Sequence, residues 1–223
     1  TYGLDSEFAD IDFYDLCTPE GQQGQTSAST VDRPDHHGTK ITGILAGANN
    51  GYGNNGVIRG IAGSAFDVHV FRMNCDGGND PSLILAALNL IIDGTIGDID
   101  VVNMSFGGLF ANPTDVRSIY EGYFNSAAGR EILWVGGAGN DNQETACNEF
   151  LPSGLACDLD NVVSVAGHNP DNLYRGEWTS SSGEQFGSNW GEGVTLSAPG
   201  TGVWTAVDVE NYGGVSGTSA ATP

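Results

Sequence analysis

Near its C-terminal end the chain carries Gly217-Thr218-Ser219-Ala220-Ala221-Thr222-Pro223, a single serine among small residues. This is the setting of a hydroxyl at a helix start with little steric cover, although a serine there also serves as an ordinary cap. Its chemistry therefore depends on partners. A serine hydroxyl becomes a useful nucleophile near neutral pH when an imidazole takes its proton, and that imidazole needs a carboxylate to hold its tautomer and stabilise its charged form. Of the four histidines, His69 sits inside an apolar run and His168 follows one, both structural settings, whereas His37 heads a Gly-rich helical segment. The neighbouring His36 lacks the Gly38-Thr39 step that lets the backbone pass close to a ligand. Upstream, Tyr2-Gly3-Leu4-Asp5-Ser6 reads as the end of a short strand with a carboxylate at its carboxyl tip. Asp5, His37 and Ser219 are the candidates for such a set.

These residues need a frame that brings them together. Short β-branched or apolar runs over 67–73, 100–105, 131–138, 162–166 and 194–198 read as buried strands, and they alternate with helical segments. That alternation predicts an α/β fold with a parallel sheet and right-handed crossovers. Residues 81–92 (PSLILAALNLII) open with Pro in the first turn and are rich in Leu and Ala, as a buried crossover helix requires. After His37, the residues Ile41, Ile44 and Leu45 share one helix face, and Gly43 and Gly47 permit close packing. No internal repeat is present, and the Gly/Asn-rich 48–56 and Ser-rich 179–183 read as surface loops, so residues 1–223 parse as one domain. Ligand chemistry in such a sheet gathers beyond the carboxyl ends of the strands.

Composition bounds the function. The 223 residues hold 28 Asp and Glu against 7 Lys and Arg, a net charge of −21, which repels phosphate backbones and anionic lipid. Nucleic acid and membrane are excluded as expected partners. No apolar stretch reaches spanning length, and nothing resembles a signal peptide. The four cysteines, Cys17, Cys75, Cys147 and Cys157, show no zinc spacing and allow three pairings. Cys147 and Cys157 flank a short Pro/Gly-containing loop that closes easily, which leaves Cys17 with Cys75 as the remainder of that pairing.

Taken together, the motifs resemble the subtilisin-like serine proteases, the subtilases. LDSEFADIDFYDL is similar to that family's aspartate strand, HHGTKITGILAG to its histidine motif, VVNMSFGG to its substrate-binding strand, GGAGN to its oxyanion segment and GTSAATP to its serine motif. The order Asp, His, Asn, Ser is the family's order, and the resemblance covers nearly the whole chain. It implies a three-layer subtilisin-like fold with a central, mostly parallel sheet flanked by helices. It also implies a secreted, monomeric serine endopeptidase acting on protein or peptide substrates, with a pro-segment in the parent protein and no cofactor for the chemistry. By this resemblance Ser219 attacks the scissile carbonyl, His37 shuttles its proton, Asp5 orients His37, and Asn140 donates its side-chain amide to the oxyanion with the Ser219 N–H. Ser105, Phe106, Gly107 and Gly108 pair with an extended substrate as an added strand. Gly136, Gly137 and Ala138 wall a roomy pocket suited to bulky apolar residues before the cleaved bond, although such glycines also serve close packing alone. The loop 48–56 resembles the family's calcium loop, with Asn54 as side-chain ligand, and an Asn/Gly-rich turn without metal fits the same residues.

Two features depart from the family. Glu7 stands two places after Asp5, where members usually carry Gly, so either the turn differs or the site is impaired, and an extra carboxylate there is also expected to raise the imidazole's pKa. Complete domains of the family extend before the aspartate strand and past the serine motif, so the resemblance implies a domain cut off at both ends that does not fold alone. Three alternatives are weighed against this reading. A pseudoprotease draws support only from Glu7 and the truncation. A sedolisin would replace His37 with a carboxylate. A lipase or esterase would need a GxSxG elbow and the order Ser, acid, His, and neither is present.

Overall fold

The computed structural model describes residues 7–8, 10–18, 25–26, 36–51, 53–62, 66–75, 78–110, 112–171, 175–180, 183–208 and 211–223. The chain folds as two compact units, residues 1–91 with 204–214, and residues 92–203 with 215–223. Asp5 and the strand expected around it lie outside the described residues.

In the first unit three strands form one sheet: β1 (Ile11–Asp15), β2 (Gln25–Thr26) and β3 (Val68–Arg72). β1 pairs in parallel with β3, Ile11 opposite Val68 and Asp15 opposite Arg72, and β2 lies antiparallel on its other side. Alternate residues of β1 are buried, because period-two side chains send Ile11 and Phe13 into a core with Phe8, Ala46, Val68 and Ala206. Helix α1 (His37–Ala46) buries Ile41 and Ile44 as the sequence pattern requires, while Leu45 packs on the core's edge. α2 (Val57–Ala62) follows the loop after it. A short ladder of β4 (Asn74–Cys75) and β5 (Gly78–Asn79) leads to α3 (Pro81–Ile92), the helix expected from its Leu/Ala-rich run. Just past the carboxyl ends of β1 and β3, the Cys17–Cys75 disulfide ties the two strands. Arg72 Nη1 meets Asp15 Oδ2 at 2.6 Å beside it, with both side chains largely buried.

The second unit is built on a four-stranded parallel sheet in which Leu196–Pro199, Val162–His168, Leu133–Gly137 and Val101–Met104 lie side by side in that order. β6 (Val101–Met104) runs into Ser105 and the short β7 (Gly108–Leu109). Helix α4 (Pro113–Phe124) then precedes β8 (Leu133–Gly137), which begins after a 3-10 turn over Gly129–Glu131 takes the first residue of the expected run. Trp134 of β8 is fully buried, stacked 4.3 Å from Phe124, and its indole N–H donates to Gly129 O at 2.9 Å, so the largest apolar group also satisfies its one donor. β9 (Phe150–Leu151) pairs antiparallel with β7, and the loop around β9 is closed by the Cys147–Cys157 disulfide. Both expected cysteine pairs are thus formed. β10 (Val162–His168) is one of the two inner strands, β11 (Glu177–Thr179) and β12 (Gln185–Gly187) form an antiparallel pair, and β13 (Leu196–Pro199) completes the sheet. The strands β14 (Val203–Ala206) and β15 (Tyr212–Val215) pair, and most of this ladder belongs to the first unit. A last helical turn, α5 (Thr218–Ala221), carries Ser219 and packs against β10, β8 and β13.

Candidate active site

Ser219 owes its position to the glycine before the helix. Gly217 has φ of 144°, in the half of the map where L side chains are disfavoured, and its N–H is anchored on Gly200 O at 2.8 Å. The turn delivers Thr218 and Ser219 into the first turn of α5, where N–H groups have no intrahelical acceptor. One of them, Thr218 N–H, donates to Asn140 Oδ1 at 2.9 Å, and the Thr218 hydroxyl donates to the same oxygen at 3.0 Å. Because both groups are donors, the atom they share is the amide oxygen. The Asn140 Nδ2 group therefore faces away from Thr218 as a donor, and no acceptor holds it among the described residues. Ser219 itself is clamped to the end of β6: its hydroxyl donates to Ser105 O at 3.1 Å, and the Ser105 hydroxyl donates back to Ser219 O at 2.9 Å.

A buried asparagine that sequence reasoning did not single out holds the segment after β8. Asn189, 0% exposed, accepts from Asp141 N–H at 3.0 Å and Gln143 N–H at 3.3 Å, and donates to Ala138 O and to Asp141 Oδ2, each at 3.0 Å. Its side-chain amide is spent on residues 138–143, so the loop bearing Asn140 is fixed without using Asn140 itself. Nothing in the local pattern around Asn189 marks this, since its partners lie about 50 positions away.

Each expected wall residue can be placed. Ser105 is buried, Phe106 and Gly107 lead into β7, and Gly108 pairs with Leu151. Gly136 faces Ser153, whose hydroxyl donates to Gly137 O at 2.8 Å, and Gly137 faces the hydroxyls of Thr218 and Thr222. These two glycines let other side chains approach. Ala138 lines a small hollow with Thr145, Phe150, Ser153, Gly154 and Ser164.

In the first unit His37 is exposed at the first position of α1, after His36 in a left-handed conformation (φ 50°). The structural reading of His69 is met: its Nδ1 lies 3.2 Å from the Tyr14 hydroxyl and 3.7 Å from Asp12 Oδ2. Glu7 is 3% exposed, its Oε2 accepts from the Tyr212 hydroxyl at 2.9 Å, and its backbone oxygen accepts from Ala48 N–H. Burial pushes the Glu7 carboxyl above its ordinary value, against the lowering effect of the hydrogen bonds from Tyr212 and Asn50. Its other oxygen lies against Gly47, at the opposite end of the ten-residue α1 from His37. At 1.5 Å per residue that is about 15 Å along the axis, so the expected direct effect of Glu7 on the imidazole is small and its role is structural. Asn54 Nδ2 donates to Gly43 O at 2.8 Å, and Asn54 Oδ1 is buried without a hydrogen-bond partner. Among the described residues no group of three or more His, Cys, Asp or Glu is arranged to hold a metal.

Residues 13–223 match the model of the subtilase family, peptidase S8, and the chain belongs to that family. It is 30% identical over 210 residues to the minor extracellular protease Epr of Bacillus subtilis, across 94% of this chain and 28% of that protein. It is 28% identical over 203 residues to an extracellular protease of Xanthomonas campestris pv. campestris, across 84% of this chain and 30% of that protein. The chain thus spans less than a third of the length of these curated relatives. The crystal structure of a cold-adapted subtilisin-like serine proteinase matches with a TM-score of 0.65 at 23% identity, covering 100% of this chain and 68% of that one. The fold is accordingly the three-layer, subtilisin-like α/β fold built on a mostly parallel sheet.

Proposed function

We propose that the whole protein carrying this chain is a secreted serine endopeptidase in which Ser219 is the nucleophile, His37 its general base and acid, and Asp5 the carboxylate that orients His37. The observation that carries this reading is the pairing of Asn140 with Thr218. With its carbonyl oxygen committed to Thr218, the Asn140 amide is presented as a donor beside the first turn that carries Ser219. Two donors, Asn140 Nδ2 and the Ser219 N–H, stabilise the oxyanion as the serine attacks, and neither needs to reorganise during the reaction. Ser105–Gly108 pairs with the extended substrate. The endopeptidase reading draws further support from family membership, and secretion from relatives named as extracellular proteases.

A structural calcium ion at the loop after α1 belongs to the same reading. Asn54 Oδ1, buried without a partner, suits a hard cation, with backbone carbonyls of the loop completing the set. Chelation is then expected to lower the melting temperature, and readdition of calcium to restore it. The activity itself is tested by labelling the whole protein with a fluorophosphonate probe and mapping the modified peptide, beside a His37→Ala control. Labelling at Ser219 that vanishes in the control is expected. A folded protein that takes no label would make the pseudoprotease reading the better one.

A further inference from the structure

We propose that Phe150 closes the pocket for the residue preceding the cleaved bond, so that the site selects small side chains such as Ala and rejects large aromatic ones. The inference rests on the endopeptidase reading for the identity of the pocket, and on packing for its size. Two candidate walls converge on this one ring. A Cβ placed on Gly107, in the segment expected to pair with substrate, would lie 2.5 Å from Phe150 Cε1. A Cβ placed on Gly139, the residue before Asn140, would lie 2.5 Å from Phe150 Cε2. A side chain on either glycine would meet the ring, and one on Gly139 would also meet Asn189 Nδ2. Gly139 also has φ of 102°, so no other residue fits there comfortably.

The ring cannot easily retract. It is 9% exposed, and Leu151 and Ser153 beside it are fully buried. Its backbone is held by the β7–β9 ladder, with Leu109 opposite Phe150 and Gly108 opposite Leu151, and by the bond from Ser153 to Gly137 O. The Cys147–Cys157 disulfide closes the segment around it. The ring lines a small hollow together with Ala138, Thr145, Ser153, Gly154 and Ser164. A bulky side chain entering between the walls must displace a buried phenyl group whose backbone is held, whereas a methyl group rests against the ring face. Of the residues expected to wall a roomy pocket, Ala138 shares this hollow with the ring, whereas Gly136 faces Ser153 and Gly137 faces Thr218 and Thr222. Differences of one or a few methylenes in such a pocket are worth about 10- to 200-fold in kcat/KM.

The test uses the whole protein and peptide p-nitroanilides that differ only in Ala, Leu or Phe before the cleaved bond. The wild type is expected to favour Ala over Phe by at least about tenfold in kcat/KM. Phe150→Ala and the milder Phe150→Val are expected to raise kcat/KM for the Phe substrate by about tenfold or more, graded with the volume removed, while fluorophosphonate labelling of Ser219 continues. A wild type that cleaves the Phe substrate best, or labelled variants whose Ala-to-Phe ratio stays put, would overturn the proposal. Calorimetric binding of N-acyl peptides ending in Ala or Phe reads the same pocket without chemistry. If Ser219 takes no label yet the Ala peptide binds more tightly and Phe150→Ala reverses the order, the endopeptidase reading fails and the pocket proposal stands. Equal binding of both peptides would overturn it.

Discussion

Asn189, in the unit that bears Ser219, is fully buried and spends its side-chain hydrogen-bonding groups on residues 138–143, whereas His37, in the other unit, is exposed at the first position of its helix. Several contacts that fix α1 lie in its middle and at its far end. Gly43 packs on the Thr205 hydroxyl, which also donates to Lys40 O, and Gly47 packs on Glu7. The serine-bearing unit thus holds its candidate groups by directional bonds from buried polar side chains, and the histidine-bearing unit holds a helix by close packing at glycines with hydrogen bonds from Thr205 and Asn54 to its backbone. Oxyanion donors gain from being fixed before charge develops, while a group that accepts and returns a proton needs an open approach. The two manners of support match the roles proposed for their residues.

Removing the disulfides tests the two units at their largest scale. In the chain-entropy account, opening Cys17–Cys75, with 58 residues of separation, is expected to cost about 4 kcal/mol and opening Cys147–Cys157, with 10, about 3 kcal/mol. Paired Cys→Ser substitutions followed by denaturant melts measure both, and a smaller loss at Cys17–Cys75 would show that the first unit stays compact without its link. Next comes Asn140→Ala, expected to lower kcat on the order of 10²- to 10³-fold, or about 3–4 kcal/mol of transition-state stabilisation, with KM little changed. That magnitude is the one measured for the corresponding loss in subtilisin, so a much smaller effect would place the oxyanion elsewhere.

Thr218→Val keeps the backbone donor to Asn140 but deletes the hydroxyl, and about a tenfold fall in kcat is expected, equivalent to about 1.4 kcal/mol. An unchanged kcat would mean that the backbone bond alone orients the amide. The smallest effect belongs to Glu7→Gln. Since burial raises the folded carboxyl above its ordinary 4.5, the stability it contributes is fully present below that pH and is lost as pH rises through the raised value. The variant is therefore expected to match the wild type near about pH 4 and to melt higher near about pH 8. A gain at the acid end instead would show that the carboxylate, held by Tyr212, is favoured in its charged form.

Much of this was legible in the chain. The helix at residues 81–92 appears with the expected bounds, because a Pro start followed by a Leu/Ala-rich run suits helix and nothing else nearby competes. The strands at 68–72 and 162–168 appear within two residues of their apolar runs. Ser219 and Asn140 stood out because each sits in a short motif of small residues, and the turns such residues permit are local. What the sequence hid are the partners that act across distance. Phe150 fills a space bounded by Gly107 and Gly139, Asn189 holds a loop about 50 residues earlier, and Glu7 meets Tyr212 from 205 positions away.

By itself, then, the sequence determined where helices and strands begin, which residues have the chemistry of a nucleophile, base and oxyanion donor, and that the surface is acidic. These follow from backbone preferences and side-chain type, which each short segment carries with it. Only the tertiary structure decided that Gly107 and Gly139 both pack on the Phe150 ring, that the Asn140 oxygen is taken by Thr218, and that Glu7 is buried at the far end of α1. Those outcomes depend on which distant surfaces meet, and packing at van der Waals distance allows one occupant for each space.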